Sequence, residues 1–185
     1  TDSLLSVIMP GLYGFNNASL SGSLNTNTQN LNLQAYIPYG YVKGAYFDTA
    51  TVQAMGNFNQ LYLQANANKL ALGDGLVTAA FNGNAFLGND SLRFKISTDS
   101  KDDYGTAKIE GHAFASGDSL YLSLAPSEFF LNKYRWEILS GNRLVFAKDY
   151  LMVRDLLMQS GKQLITVNSF NETTQQAIDV AIKDF

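Results

Sequence analysis

At 185 residues the chain fits one domain and could bury a sizeable core. Charged residues make up only 16% of it, with a formal net charge of -3, and the basic residues are scattered singly, so it lacks the electrostatic footprint of a nucleic-acid binder. The absence of cysteine excludes a disulfide framework and a thiolate metal site, and the apolar runs fall far short of the roughly 18 residues of a membrane-spanning helix.

The chain opens TDSLLSVIMPGLYG, with neither an initiator Met nor a signal-peptide pattern, and ends on AIKDF while a pattern is still running. It therefore reads as a single segment, 1–185, of something longer, with no internal boundary. Alternation of period two dominates what lies between. SLSGSLN places Leu20 and Leu24 on one parity, and NLNLQAYIP does the same with Leu31, Leu33, Ala35 and Ile37. NQLYLQANANKLALGDG gives Leu61, Leu63 and Ala65, then Leu70 and Leu72. In SLRFKIS, Leu92, Phe94 and Ile96 point one way and Arg93 and Lys95 the other. GTAKIEGHAF adds Ile109, and DSLYLSLAP adds Leu120, Leu122 and Leu124. The stretch SEFFLNKYRWEILSGNRLVF supplies Phe129, Leu131, Trp136, Ile138, Leu144 and Phe146, and KQLITVNS supplies Ile165 and Val167.

Two segments allow two readings. KDYLMVRDLLMQSG suits a helix capped by Asp149 or a strand with a bulge. FNETTQQAIDVAIKDF suits a helix capped by Asn171 or a strand with Ile178, Val180 and Ile182 on one side. The surrounding pattern and the strand preference of Val and Ile favour strands for both. Between the runs, NTNTQN, NGNAFLGND, TDSKDDYG, SGN and QSGKQ read as turns, and Pro10, Pro38 and Pro126 as strand edges. The expectation is an all-β chain of about a dozen or more strands, each about 5–9 residues long, with one dry and one wet face.

Chemistry is hard to place on this pattern. His112, the only histidine, shares the parity of Lys108 and Glu110, so its ring belongs to the wet face, with no second metal-ligand type near it in sequence. Asp102 and Asp103 sit in a turn with nothing apolar beside them to desolvate a general acid. GDG at Gly73, Asp74 and Gly75 is a turn signal and not a calcium loop, and no glycine-rich stretch opens a helix that could hold phosphate. A hydrolase triad would need the outward-facing His112. The sequence thus points away from an enzyme and from any cofactor.

The order of signals from Ser127 to Phe185, with PSEFFLNKYRWEILSGNRLVF leading into DYLMVRDLLMQSGKQLITVNS and AIDVAIKDF, resembles the TamB branch of the AsmA-like proteins, in its Bacteroidetes form. GTAKIEGHAFASGDSLYLSLAPSEF and DSLRFKI resemble the same family's repeated short strands. The resemblance implies a long sheet folded lengthwise into a trough, or β-taco, with an apolar interior. It further implies a periplasmic location, an inner-membrane anchor on the complete protein, and an outer-membrane barrel of the TamA or BamA type as partner. The implied activity is transfer of phospholipids between the two membranes, their acyl chains shielded by the side chains of the dry parity, from Leu61 to Ile182. Such a trough needs no catalytic group, since each acyl CH2 leaving water gains about 0.8 kcal/mol. Three rivals share the alternation: a lipocalin-like closed barrel of about eight longer strands, a solid-core repeat or adhesin module, and an outer-membrane barrel, which needs strands of about 9–11 residues.

Overall fold

The computed structural model describes residues 12–13, 17–42, 45–72, 76–78, 80–99, 106–131, 133–148, 150–172 and 175–184. Among these there is no helix. The strands β1 (Leu12–Tyr13) and β2 (Ser19–Asn25) both pair with β3 (Asn30–Val42) and form the first row of a sheet. Next come β4 (Ala45–Asn57) and β5 (Gln60–Leu72), followed by β6 (Leu76–Thr78) and β7 (Ala80–Gly88), which share one row on β5. β8 (Ser91–Asp99) and β9 (Ala107–Ser116) complete the first half.

Beyond β9 the rows are broken. β10 (Ser119–Leu124) and β11 (Ser127–Leu131) lie end to end along β9. β12 (Tyr134–Ile138) pairs with β11, and β13 (Arg143–Phe146) with β10. β14 (Leu151–Arg154) then pairs with β13, and β15 (Leu156–Ser160) with β12. β16 (Gln163–Glu172) and β17 (Gln175–Lys183) close the series. Five rows thus hold two segments each, and the seventeen segments make twelve rows. Among the described residues every pairing is antiparallel and joins rows adjacent in sequence, and none joins the first row to the last. The sheet is an open meander.

Tight turns make this meander possible. Asn89 and Asp90 both have positive φ (51° and 56°), the mirror-image geometry whose twist matches a two-residue hairpin. Gly161, at φ 58°, begins the β15–β16 turn. Asn25 and Asn57 each accept two backbone N–H bonds within the turn that follows them.

The structure corrects the expected strand lengths. β3, β4 and β5 are 13 residues each, because Pro38 is not a strand edge. It sits inside β3 at a gap in the ladder, between the pairs Ile37–Ala50 and Tyr39–Asp48, where its missing N–H costs nothing. Likewise Asn82, Gly83 and Asn84 lie within β7 and not in a turn. Both ambiguous segments are strands, and the anticipated bulge is Asp155, at φ 51°, between β14 and β15. Pro10, Asp149, the GDG and the Asp102–Asp103 pair lie outside the described residues.

Candidate functional site: an apolar face without a cover

Residues paired across an antiparallel ladder share a face, so the registers carry each side chain to one side of the sheet. One transverse line runs Leu24, Leu31, Gly56, Leu61, Leu87, Leu92, Ala113, Leu122, Leu144, Val153 without a polar or charged residue. Another runs Ile138, Met158, Ile165, Ile182. The same face holds Leu63, Phe94, Ile96, Ile109, Leu120, Leu124, Phe129, Leu131, Trp136, Phe146, Val167, Ile178 and Val180. All sequence-predicted lining residues therefore share it except two. Leu70 pairs with Phe47 and lies on the other parity of β5 from Leu61, Leu63 and Ala67, with the β4–β5 register unshifted across the gap at Thr49, so register does not join it to these lines. Of Leu72 only the backbone is described.

The opposite face is mixed: an apolar line, Phe114, Tyr121, Val145 and Met152, crosses it beside many polar residues, with the Phe114 and Tyr121 rings stacked. Ser19, Ser21 and Ser23 lead to Asn32 and Gln34, then Gln53, Gln64 and Asn84. From β8 to β12 it carries the ion pairs Lys95–Glu110, Lys108–Glu128 (3.1 Å), Arg135–Glu128 (2.8 Å) and Arg135–Glu137 (3.0 Å). Glu128 and Glu137 stand directly opposite each other, and Arg135 neutralises both. The Lys108 ammonium, with Arg135 assisting, holds the Glu128 carboxyl below the usual carboxylate range. His112 lies on this face, opposite Arg93 and Ser123, and is exposed. Among the described residues no cluster of His, Asp and Glu could hold a metal ion.

Curvature sets the apolar face inward. Leu31 on β3 and Leu120 on β10 line one cavity of about 700 Å³ with Leu61, Leu87 and Leu92. Six row steps at about 4.8 Å would separate those strands by about 29 Å in a flat sheet. The sheet is therefore curled into a trough at this level, with the leucines on its concave side. Small side chains suit the concave surface: Ala50, Ala54, Ala67 and Ala113 are buried there. Of the other buried apolar side chains among the described residues, Trp136, Ile138 and Val153 are on the same face and Val145 is on the other. Larger residues of the apolar face stay open to solvent, Leu33 at 38% and Leu120 at 46% among them. Among the described residues no helix or second sheet lies over them.

Where the rows break, polar side chains replace the missing ladder. At the Ala125–Pro126 bulge, Ser127 Oγ accepts from Glu110 N–H (3.0 Å) and donates to Ala125 C=O (2.8 Å). Asn142, 3% exposed, accepts from Leu124 N–H (2.7 Å) and donates to the carbonyls of Leu124 and Leu139 (both 2.9 Å). Ser169 Oγ accepts from Val153 N–H (2.7 Å) and donates back to Val153 C=O (3.2 Å), and Asn168 Oδ1 accepts from Asp155 N–H (2.7 Å). These three interruptions are thus bridged, as buried backbone groups require.

No protein-family model, curated protein or solved structure matches this chain.

Sequence reasoning overlooked Leu87, Val52, Met158 and Val153 as lining residues. Leu87 was hidden in a stretch dense with Asn and Gly. Val52 lies in TATVQAMGN, whose alternation becomes visible only when alanine and glycine are counted as apolar.

Proposed function

We propose that this chain is a segment of a lipid-transfer trough that shields phospholipid acyl chains as they pass between the two membranes of a Gram-negative envelope. The observation that carries the reading is the line from Leu24 to Val153, which crosses ten strand segments without a polar side chain and which, in its first part around Leu24 and Leu33, no second layer covers among the described residues. An apolar face needs a cover. Acyl chains supply one at about 0.8 kcal/mol per CH2, and head groups can stay in water at the open slit. The charged face supports the same assignment. Its Lys95, Glu110, Lys108, Glu128, Arg135 and Glu137 suit water and would be costly against a bilayer core, which disfavours the outer-membrane barrel. The open edges disfavour the lipocalin-like barrel. On this reading the complete protein is periplasmic, anchored in the inner membrane, and meets a barrel of the TamA or BamA type at the outer membrane.

Contact with acyl chains selects by length and not by head group. Phe94→Asp places a carboxylate in the trough, whereas Lys95→Asp alters the wet face beside it. In cells, phospholipid passage to the outer membrane is expected to fall several-fold with Phe94→Asp and to change little with Lys95→Asp. Equal effects with both variants folded would refute an inner conduit and favour the structural-module reading.

A further inference from the structure

The basic residues are scattered singly in the sequence, yet the fold sets two of them side by side. In the β13–β14 ladder Arg143 stands directly opposite Arg154, and both are exposed on the face opposite the trough lining. Like charges directly opposed across a ladder destabilise it. The same face shows how such a clash is relieved from within. Glu128 and Glu137 are also directly opposed, and Arg135 bonds to both, at 2.8 and 3.0 Å. Lys95 and Lys108 likewise have Glu110 and Glu128. Arg143 and Arg154 have no such counter-ion. Neither forms an ion pair among the described residues, although Asp155 follows Arg154 in the chain. Val145 and Met152 flank the two arginines on this face, so long aliphatic stems are useful there. A glutamate in place of either arginine would keep a stem and remove the repulsion.

We propose that Arg143 and Arg154 form a binding site for a phosphate group, which supplies the counter-ion that the fold leaves out. A guanidinium is planar, always charged, and forks onto two oxygens of a phosphate, so two opposed arginines can hold one phosphate between them. The surroundings suit an anion. Ser123 follows Leu122 in the row beside Arg143, and beyond it come His112 and Arg93, opposite each other. The line Arg93, His112, Ser123, Arg143, Arg154 thus contains no acid. A lone carboxylate would be satisfied by one guanidinium, as Glu137 is by Arg135, whereas the doubled charge matches phosphate. The phosphate belongs either to a soluble ion or ester or to a phospholipid head group. The site lies on the other side of the sheet from the trough, so it does not rest on what fills the trough.

Inorganic phosphate, titrated against chloride at matched ionic strength, should shift the side-chain Nε–Hε resonances of Arg143 and Arg154 together and leave that of Arg135 in place. At several times its dissociation constant it should raise the thermal unfolding midpoint by about 2–4 °C. Arg154→Glu supplies the counter-ion from the chain itself. Without phosphate its midpoint is expected above that of the unaltered chain, and with phosphate neither that midpoint nor the Arg143 resonance should move. Lys162→Glu, the same change of charge at an exposed turn, should keep the full response. Vesicles of phosphatidic acid, compared with phosphatidylcholine, separate the two sources. A response to inorganic phosphate assigns a soluble ligand, and a response to phosphatidic acid alone, lost in Arg154→Glu, assigns a head group. No response to either probe, or an equal response from Arg154→Glu, would overturn the proposal.

Discussion

The two halves of the sheet solve the same problem differently. From β2 to β9 the main ladder is nearly regular, the buried apolar side chains are alanines, and the larger ones stay half open. From β10 to β16 every row is interrupted or bridged, and Trp136, Ile138, Val145 and Val153 are buried. The difference teaches that curling can come from two sources. A regular sheet curls when its concave face is lined with small residues, so side chains do not collide. A sheet with large concave residues needs bulges, which bend a strand locally and increase its twist. Their cost is lost ladder bonds, and Ser127, Asn142 and Ser169 restore those bonds from side chains.

If the broken half is the packed half, truncation should cost most there. Trp136→Ala is expected to lower stability by about 3–5 kcal/mol, as for a buried aromatic, measured by urea unfolding. Leu63→Ala, half-buried in the regular half, should cost only about 1–2 kcal/mol. Comparable losses at both sites would erase the distinction. Asn142→Ala comes next, at about 2–4 kcal/mol, because it leaves the N–H and C=O of Leu124 without their partner. Hydrogen exchange at Leu124 should accelerate in that variant.

The regular half has one flaw. Thr49, at φ 47°, holds a β-branched residue in the left-handed region, where it is rare and strained. Thr49→Gly is expected to raise the unfolding midpoint, by up to about 1 kcal/mol of stability. A loss would mean that the Thr49 hydroxyl bond to Asp48 (2.9 Å) outweighs the strain. The smallest effect belongs to the charged face. Glu128 has a lowered folded pKa, so its contribution is present above the ordinary carboxylate range and fades as pH falls through the folded value. The stability gap between the unaltered chain and Glu128→Gln should therefore be small near about pH 7 and vanish near about pH 2. A gap that widens in acid would reverse the sign.

Leu70 and Leu72 apart, the parity of the apolar face was legible from Leu61 to Ile182, because one residue of slip would turn the apolar set into water. Pairing partners could be anticipated only as neighbours in sequence. The full strand lengths were not legible, since Pro38 and the Asn–Gly–Asn of β7 carry turn chemistry yet sit inside strands. Only tertiary pairing overrides such local signals. Nor were the bridges visible. Ser127, Asn142 and Ser169 are ordinary polar residues in sequence, and their role appears only when a neighbouring row leaves its backbone unpaired. The direction of curl was equally hidden, because alternation says which residues share a face and not which face is concave.

The central claim is that the concave apolar face is filled by lipid and not by protein. A photoreactive residue at Phe94, compared with one at Lys95, in cells whose phospholipids carry labelled phosphate, tests it most directly. Label joined to the protein at Phe94 and absent at Lys95 is the result expected of acyl chains in the trough. No label at either position, with both proteins folded and expressed, would contradict the claim and mean that the trough closes on itself as a solid core.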